Sequence, residues 1–134
     1  MKLASRLVVG AWLFTGCATA DRTELSLNEK YARLMMLEDQ RSLGAGEVLT
    51  RLGDPSPLIR RRAALAIGRI GFPEGASPLM ELLSDPEADV RSTAALSLGL
   101  LEGPLPPEAL SALQQALSDS DAGVRGRAAE YLGR

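Results

Sequence analysis

A chain of 134 residues, 46% apolar and 24% charged, has the composition of a globular protein and the length of one modest domain or a short repeat array. With no histidine and one cysteine it excludes Ser-His and Cys-His nucleophile pairs, histidine metal sites, multi-cysteine zinc sites and an internal disulfide. A formal net charge of −2 gives no general attraction to nucleic acid, and aromatic residues at 4% leave the core to Leu, Ala, Ile, Val and Met.

Lys2 and Arg6 precede an apolar run at 7–14 (LVVGAWLF), well short of the roughly 20 residues that a membrane span needs. This pattern predicts an export signal. Leu13-Phe14-Thr15-Gly16-Cys17 resembles the bacterial lipobox, whose cysteine is lipidated and becomes the new N-terminus, although Phe14 stands where Leu, Val or Ile is usual. The resemblance implies a lipoprotein signal peptide at 1–16 and a lipid anchor on Cys17 in a bacterial cell envelope. By the same resemblance to bacterial lipoproteins, Ala18 rather than Asp after the cysteine favours the outer membrane, in a cell that has one, over another periplasmic face. Ala18-Thr19-Ala20 is an ordinary cleavage site and leaves a second outcome open, a soluble periplasmic product cut after Ala20. Removing 1–16 takes Lys2 and Arg6 away and leaves a charge of −4, so membrane contact would come through acyl chains, at about 0.8 kcal/mol per buried CH₂.

Residues 17–26 are small and polar and read as a tether. Ser26 and Glu29 have capping-box spacing. Leu27, Tyr31, Leu34 and Leu37 follow at helical steps and predict a leading helix within 27–43, from about 27 to 41, ending at the Gly44-Ala45-Gly46 break. Met35 and Met36 are expected to pack against the next helix.

The segment 44–134 is organised by an internal repeat. Asp54-Pro55-Ser56-Pro57-Leu58-Ile59-Arg60, Asp85-Pro86-Glu87-Ala88-Asp89-Val90-Arg91 and Asp119-Ser120-Asp121-Ala122-Gly123-Val124-Arg125 align, with arginines 31 and then 34 residues apart. The register continues through Ala63-Ala64, Ala94-Ala95 and Ala128-Ala129, and through Ile67-Gly68, Leu98-Gly99 and Leu132-Gly133. Upstream, Val48, Leu79 and Leu113 share one position and Leu52, Leu83 and Leu117 another. Such a period signals a stacked solenoid, because one helix pair cannot bury its apolar face alone. The units read as first helices at 47–52, 78–83 and 107–117 and second helices at 57–70, 88–101 and 122–133. Pro57, Pro78 and Pro107 suit helix starts, and Ser56 and Asp121 suit N-caps. The apolar pattern runs unbroken through 122–133, with no polar closing repeat, which predicts at least one more helical repeat beyond Arg134.

The pattern D-P-x-x-x-V-R-x-x-A-A-x-x-L-G resembles the HEAT-like repeat in the short form also seen in phycobilisome-lyase-type proteins. It implies an all-α solenoid over 47–134 and no chemistry of its own. The leader Leu37-Glu38-Asp39-Gln40-Arg41-Ser42-Leu43 more weakly resembles the front end of exported proteins in which such repeats precede a cyclophilin-type peptidyl-prolyl isomerase domain.

The most regular polar residues are Asp54 and Arg60, Asp85 and Arg91, and Asp119 and Arg125. The resemblance implies that they tie turns and neighbouring units together, against a reading of the arginines as an anion ladder. Arg60-Arg61-Arg62 is expected to supply one structural arginine on a solvated face. From Gly44 onward nine basic and twelve acidic residues, without aromatics among the arginines, disfavour nucleic acid. No catalytic residue, metal site, cofactor or small-molecule substrate is implied. The expectation is a non-catalytic protein-interaction scaffold of the cell envelope. Its alternatives are the N-terminal part of an exported isomerase and, more remotely, a bilin or tetrapyrrole lyase.

Overall fold

The computed structural model describes residues 24–133. The expected signal peptide, the expected lipidation site at Cys17 and residues 17–23 of the expected tether lie outside the described residues.

The chain folds into seven α-helices with no strand among the described residues: α1 (Leu27–Asp39), α2 (Glu47–Thr50), α3 (Pro57–Ile70), α4 (Ala76–Glu81), α5 (Ala88–Leu98), α6 (Pro107–Ala116) and α7 (Ala122–Leu132). Tight 3₁₀ turns extend α2 at Arg51–Gly53 and flank α4 at Pro73–Gly75 and Leu82–Ser84. The odd-numbered helices stack side by side as one layer, and each short even-numbered helix packs on the odd helix after it. This is the expected all-α solenoid. No described helix is long and apolar enough to cross a membrane.

The repeat register is a burial register. Val48, Leu79 and Leu113 are fully buried, as are Ile59, Val90 and Val124, and Ala63, Ala94 and Ala128. Each such Val, Leu or Ile contributes roughly 1.5–3 kcal/mol of transfer free energy. The fourth set of equivalents does not hold together. Leu52 is buried, Leu83 half-buried and Leu117 exposed. In the turn after α4, Leu82 takes the inward position from Leu83, and at the end of α6 Ala116 takes it from Leu117.

Glycine sets how closely α3 and α5 approach. A Cβ on Gly68 would lie 2.7 Å from Ser97 Cα. Beneath this contact the Ser97 hydroxyl is fully buried without a hydrogen-bond partner.

The helix ends show where local chemistry departs from the sequence reading. The Ser26–Glu29 capping box forms as expected. However, α1 stops at Asp39 rather than in the 41–43 region, and no glycine stops it. Arg41 adopts a left-handed conformation (φ 48°), and its N–H and that of Ser42 bond back to the Glu38 and Leu37 carbonyls at 2.9 Å. That geometry costs a non-glycine residue about 1–2 kcal/mol. It is offset by the Arg41 side chain, which donates to the Ile70 carbonyl at 2.8 Å and to Glu102 Oε1 at 3.1 Å. Met35 and Met36 are exposed, contrary to expectation, because Leu34 and Leu37 form the inward stripe. Pro57 and Pro107 begin their helices, whereas Pro78 is the third residue of α4, still within the first turn. Asp121 caps α7 through the Val124 N–H at 3.1 Å. Ser56 does not cap α3 with its side chain. α5 ends at Leu98 rather than 101, since Leu100 and Leu101 bond to carbonyls three residues back in a tightened turn.

Candidate functional site

The sequence-predicted Asp and Arg residues come together at the N-terminal ends of the odd helices, with a pairing one unit out of step. Arg60 does not bind the carboxylate of Asp54, six residues before it. Its Nη1 donates to the Asp54 and Pro55 carbonyls at 3.0 and 3.2 Å, closing its own turn. Its Nε and Nη2 hold the two oxygens of Asp85, in the next unit, at 2.8 and 2.9 Å. Arg91 repeats this geometry on the Asp85 and Pro86 carbonyls (2.9 and 3.1 Å) and on Asp119 (2.9 and 3.0 Å). Each aspartate also accepts the N–H two residues on: Ser56 to Asp54 at 2.9 Å, Glu87 to Asp85 at 2.9 Å and Asp121 to Asp119 at 2.8 Å. One planar guanidinium thus joins a turn to its neighbour, a task that needs the bidentate fork of arginine.

A further rung starts the ladder. Lys30, buried on α1, bonds Asp54 Oδ2 at 3.0 Å and Glu24 at 3.0 Å. Lys30 is the fourth residue of α1, as Arg60, Arg91 and Arg125 are of α3, α5 and α7. The leading helix is therefore equivalent in register and stacking to the second helices of the repeats. A shared spacing carries this signal: a basic residue four positions after the N-cap in all four helices.

Burial alone would raise the pKa of Asp85, but the Arg60 fork and the Glu87 N–H outweigh it and hold the carboxyl below its usual range. Asp54 follows the same balance, with the Ser56 N–H and Lys30 overcoming burial. At Asp119 the Arg91 hydrogen bond is the largest influence and also lowers the pKa. Lys30 is raised, first by Glu24 and then by Asp54.

The Arg60-Arg61-Arg62 run supplies two structural arginines rather than one. Arg62 is buried, bonded to Glu38 and lying 5.5 Å from the centroid of the Tyr31 ring. Glu38 also takes Arg69 at 2.9 Å, and these bonds outweigh a burial effect that would raise its pKa, leaving it lowered. Only Arg61 stays exposed, 3.7 Å from Asp89.

Among the described residues Arg125 bonds only the Asp119 and Ser120 carbonyls of its own turn, at 2.8 and 3.0 Å. With the Lys30, Arg60 and Arg91 rungs committed internally, the broader surface for recognition lies elsewhere. On the odd-helix layer, Tyr31, Arg61, Arg62, Leu65, Thr93 and Leu96 line a depression of about 160 Å³. A smaller one of about 20 Å³ adjoins it, shares Leu96 and ends at Leu100 and Tyr131. Tyr31, Leu65, Leu96 and Tyr131 make an apolar row across four helices. Its flanking arginines are balanced: Arg61 by Asp89 and Arg127 by Glu130 at 3.1 Å. The row was missed in the sequence because Leu65 and Leu96 merge with the apolar stretch around the Ala-Ala pairs. Their shared register, five residues after Arg60 and Arg91, was the available signal. A wider groove of about 300 Å³ passes over Met80, Leu83, Ala112 and Ala116, and its one charged residue, Asp119, is already held by Arg91. No group of His, Cys, Asp or Glu among the described residues could hold a metal ion.

A search among curated proteins finds no match. A family model described as HEAT repeats matches residues 46–133, and the stacked helix pairs and their inter-unit ladder span the same region. The chain belongs to the HEAT-repeat family.

Proposed function

We propose that this chain is a non-catalytic protein-interaction scaffold of the bacterial cell envelope, lipid-anchored through Cys17. The observation that carries the scaffold reading is the apolar row Tyr31–Leu65–Leu96–Tyr131, with its two adjoining depressions. HEAT repeats generally mediate protein–protein contacts, and a charge-balanced, aromatic-ended row favours a protein segment with apolar anchors over a polyanion. The envelope location rests on the sequence around Cys17.

A photo-crosslinking side chain at position 96 tests the row, with position 114 on the exposed side of α6 as control. The expected result is a protein adduct from 96 alone, lost in Leu65→Arg at unchanged thermal stability. Equal adducts from both positions, or none, would sink the reading. For the anchor, Cys17→Ser should move the protein from the membrane to the soluble fraction. A mature N-terminus at Asp21 would instead establish the soluble periplasmic form.

A further inference from the structure

The charges of the chain are divided unevenly along it. Residues 24–69 carry eight basic and six acidic side chains, whereas residues 70–124 carry nine acidic and one basic, Arg91. Arg91 is spent on its own turn and on Asp119. From the first half, Arg60, Arg61 and Arg41 reach Asp85, Asp89 and Glu102. Among the described residues no cation comes within ion-pair distance of Glu81 on α4 or Glu108 on α6, and both are exposed. The groove of about 300 Å³ lies between these two helices. Met80 and Leu83 line one side, and Ala112 and Ala116, with short side chains, the other; Ser84, Gln115 and Asp119 complete it towards the C-terminal ends of the helices. Glu81 directly follows Met80, and Glu108 lies one turn before Ala112 on the same strip of α6. α6 has no basic residue in its last turn, so the negative end of its dipole reaches the groove without a cation on it.

We propose that the groove between α4 and α6 binds a lysine- or arginine-bearing segment of a partner protein, on the even-helix layer and away from the Tyr31–Tyr131 row. The alkyl stem of such a residue fits over Met80, Leu83 and Ala112, while its head group meets Ser84, Gln115 and the remaining lone pairs of Asp119. Glu81 and Glu108 set the sign of the potential around the groove, which steers a basic segment in and an acidic one away. A second copy of the chain is not the occupant. Its densest basic run is Arg60-Arg61-Arg62, in which Arg60 and Arg62 are bound internally. Both walls lie inside the array, so a unit stacked at either end would leave the groove open.

The test titrates the full chain, isotopically labelled, with a capped peptide of alternating lysine and alanine. The expected result is saturable binding that shifts the amides of Leu83, Ser84, Ala112 and Gln115 and weakens as salt is raised. Gln115→Lys places a cation in the groove and should weaken binding about tenfold. Because a cation near a helix C-terminus is favourable, the thermal midpoint of that variant should hold or rise. Gln114 is exposed and, two residues on from Ala112, lies on the far side of α6. Gln114→Lys therefore makes the same charge change away from the groove and should leave binding within about twofold. Equal weakening by the two variants would reduce the attraction to net charge and overturn the proposal. So would equal binding of the glutamate–alanine counterpart, shifts confined to the Tyr31–Leu96 row, or no saturable binding. Tighter binding of spermine, a polycation without a peptide chain, would overturn it as well, by removing a protein as the occupant.

Discussion

Each ladder aspartate closes its own turn through a backbone N–H and receives the preceding unit's cation. Removing the cation therefore leaves a poorly solvated carboxylate and two carbonyls short of a donor. Arg91→Ala is expected to cost about 2–3 kcal/mol in chemical denaturation, and Arg91→Lys to recover less than half of it, since an ammonium cannot span carbonyls and carboxylate together. An Arg91→Ala protein of native stability would refute this account of the joint. The residue types of the ladder were legible because they recur in register; the pairing was not. Alignment of Asp85 with Asp54 says that they are equivalent, not which arginine stands opposite either one. Lys30 and Glu38 escaped for a related reason. The first departs from the arginine pattern, and the second occupies the register of Gly68, where the aligned units carry no charge.

At the scale of the element, the interface between α3 and α5 carries opposite demands on two small residues. Gly68→Ala puts a methyl group against the Ser97 backbone and should destabilise by about 1–3 kcal/mol. Ser97→Ala removes an unpartnered buried hydroxyl and should be neutral or stabilising by up to about 1 kcal/mol. Thermal melts of both variants check the pair, and a destabilised Ser97→Ala would mean that the hydroxyl has a role in the joint. α3 was legible to the residue because Pro57 at its start and Gly71 at its end (φ 85°) are strong local signals. The end of α1 was not, because a left-handed Arg41 depends on the Ile70 carbonyl and Glu102, partners that lie far along the chain.

Across the whole molecule, Asp54, Asp85, Asp119 and Glu38 all titrate below their ordinary values when folded. Below about pH 5 the unfolded chain, with carboxyls near 4, binds more protons than the folded one. Their contribution is therefore complete above the unfolded pKa values and is lost as pH falls through the folded ones. Lys30, raised when folded, contributes below roughly pH 10 and loses that contribution as pH rises through its folded value. Without histidine the thermal midpoint should be flat from about pH 6 to 8 and fall below about pH 4, with a shallower acid limb in Asp85→Asn. A midpoint that changes steeply near neutrality would contradict this.

The Arg41 contacts also govern the mechanics of the stack. Arg41 joins the turn after α1 to the C-terminal end of α3 and to Glu102 beyond α5, and the Glu102 N–H donates to the Gly71 carbonyl at 3.0 Å. The ladder fastens the opposite ends of the same helices. Clamped along both rims, α1, α3 and α5 should move as one rigid plate. Among the described residues α7 is fastened to that plate by its ladder rung and its packing against α5 and α6, without a clamp like Arg41 at its C-terminal end, so slow breathing should concentrate there. Tyr131 would then act as a movable jaw facing a fixed Tyr31, and the row between them could adjust its width to partners of different girth. Amide hydrogen exchange should be faster in α7 than in α3 or α5. Arg41→Ala should quicken exchange around residues 71–76 and leave α7 unchanged. Uniform protection across the odd helices would show a plate without a jaw.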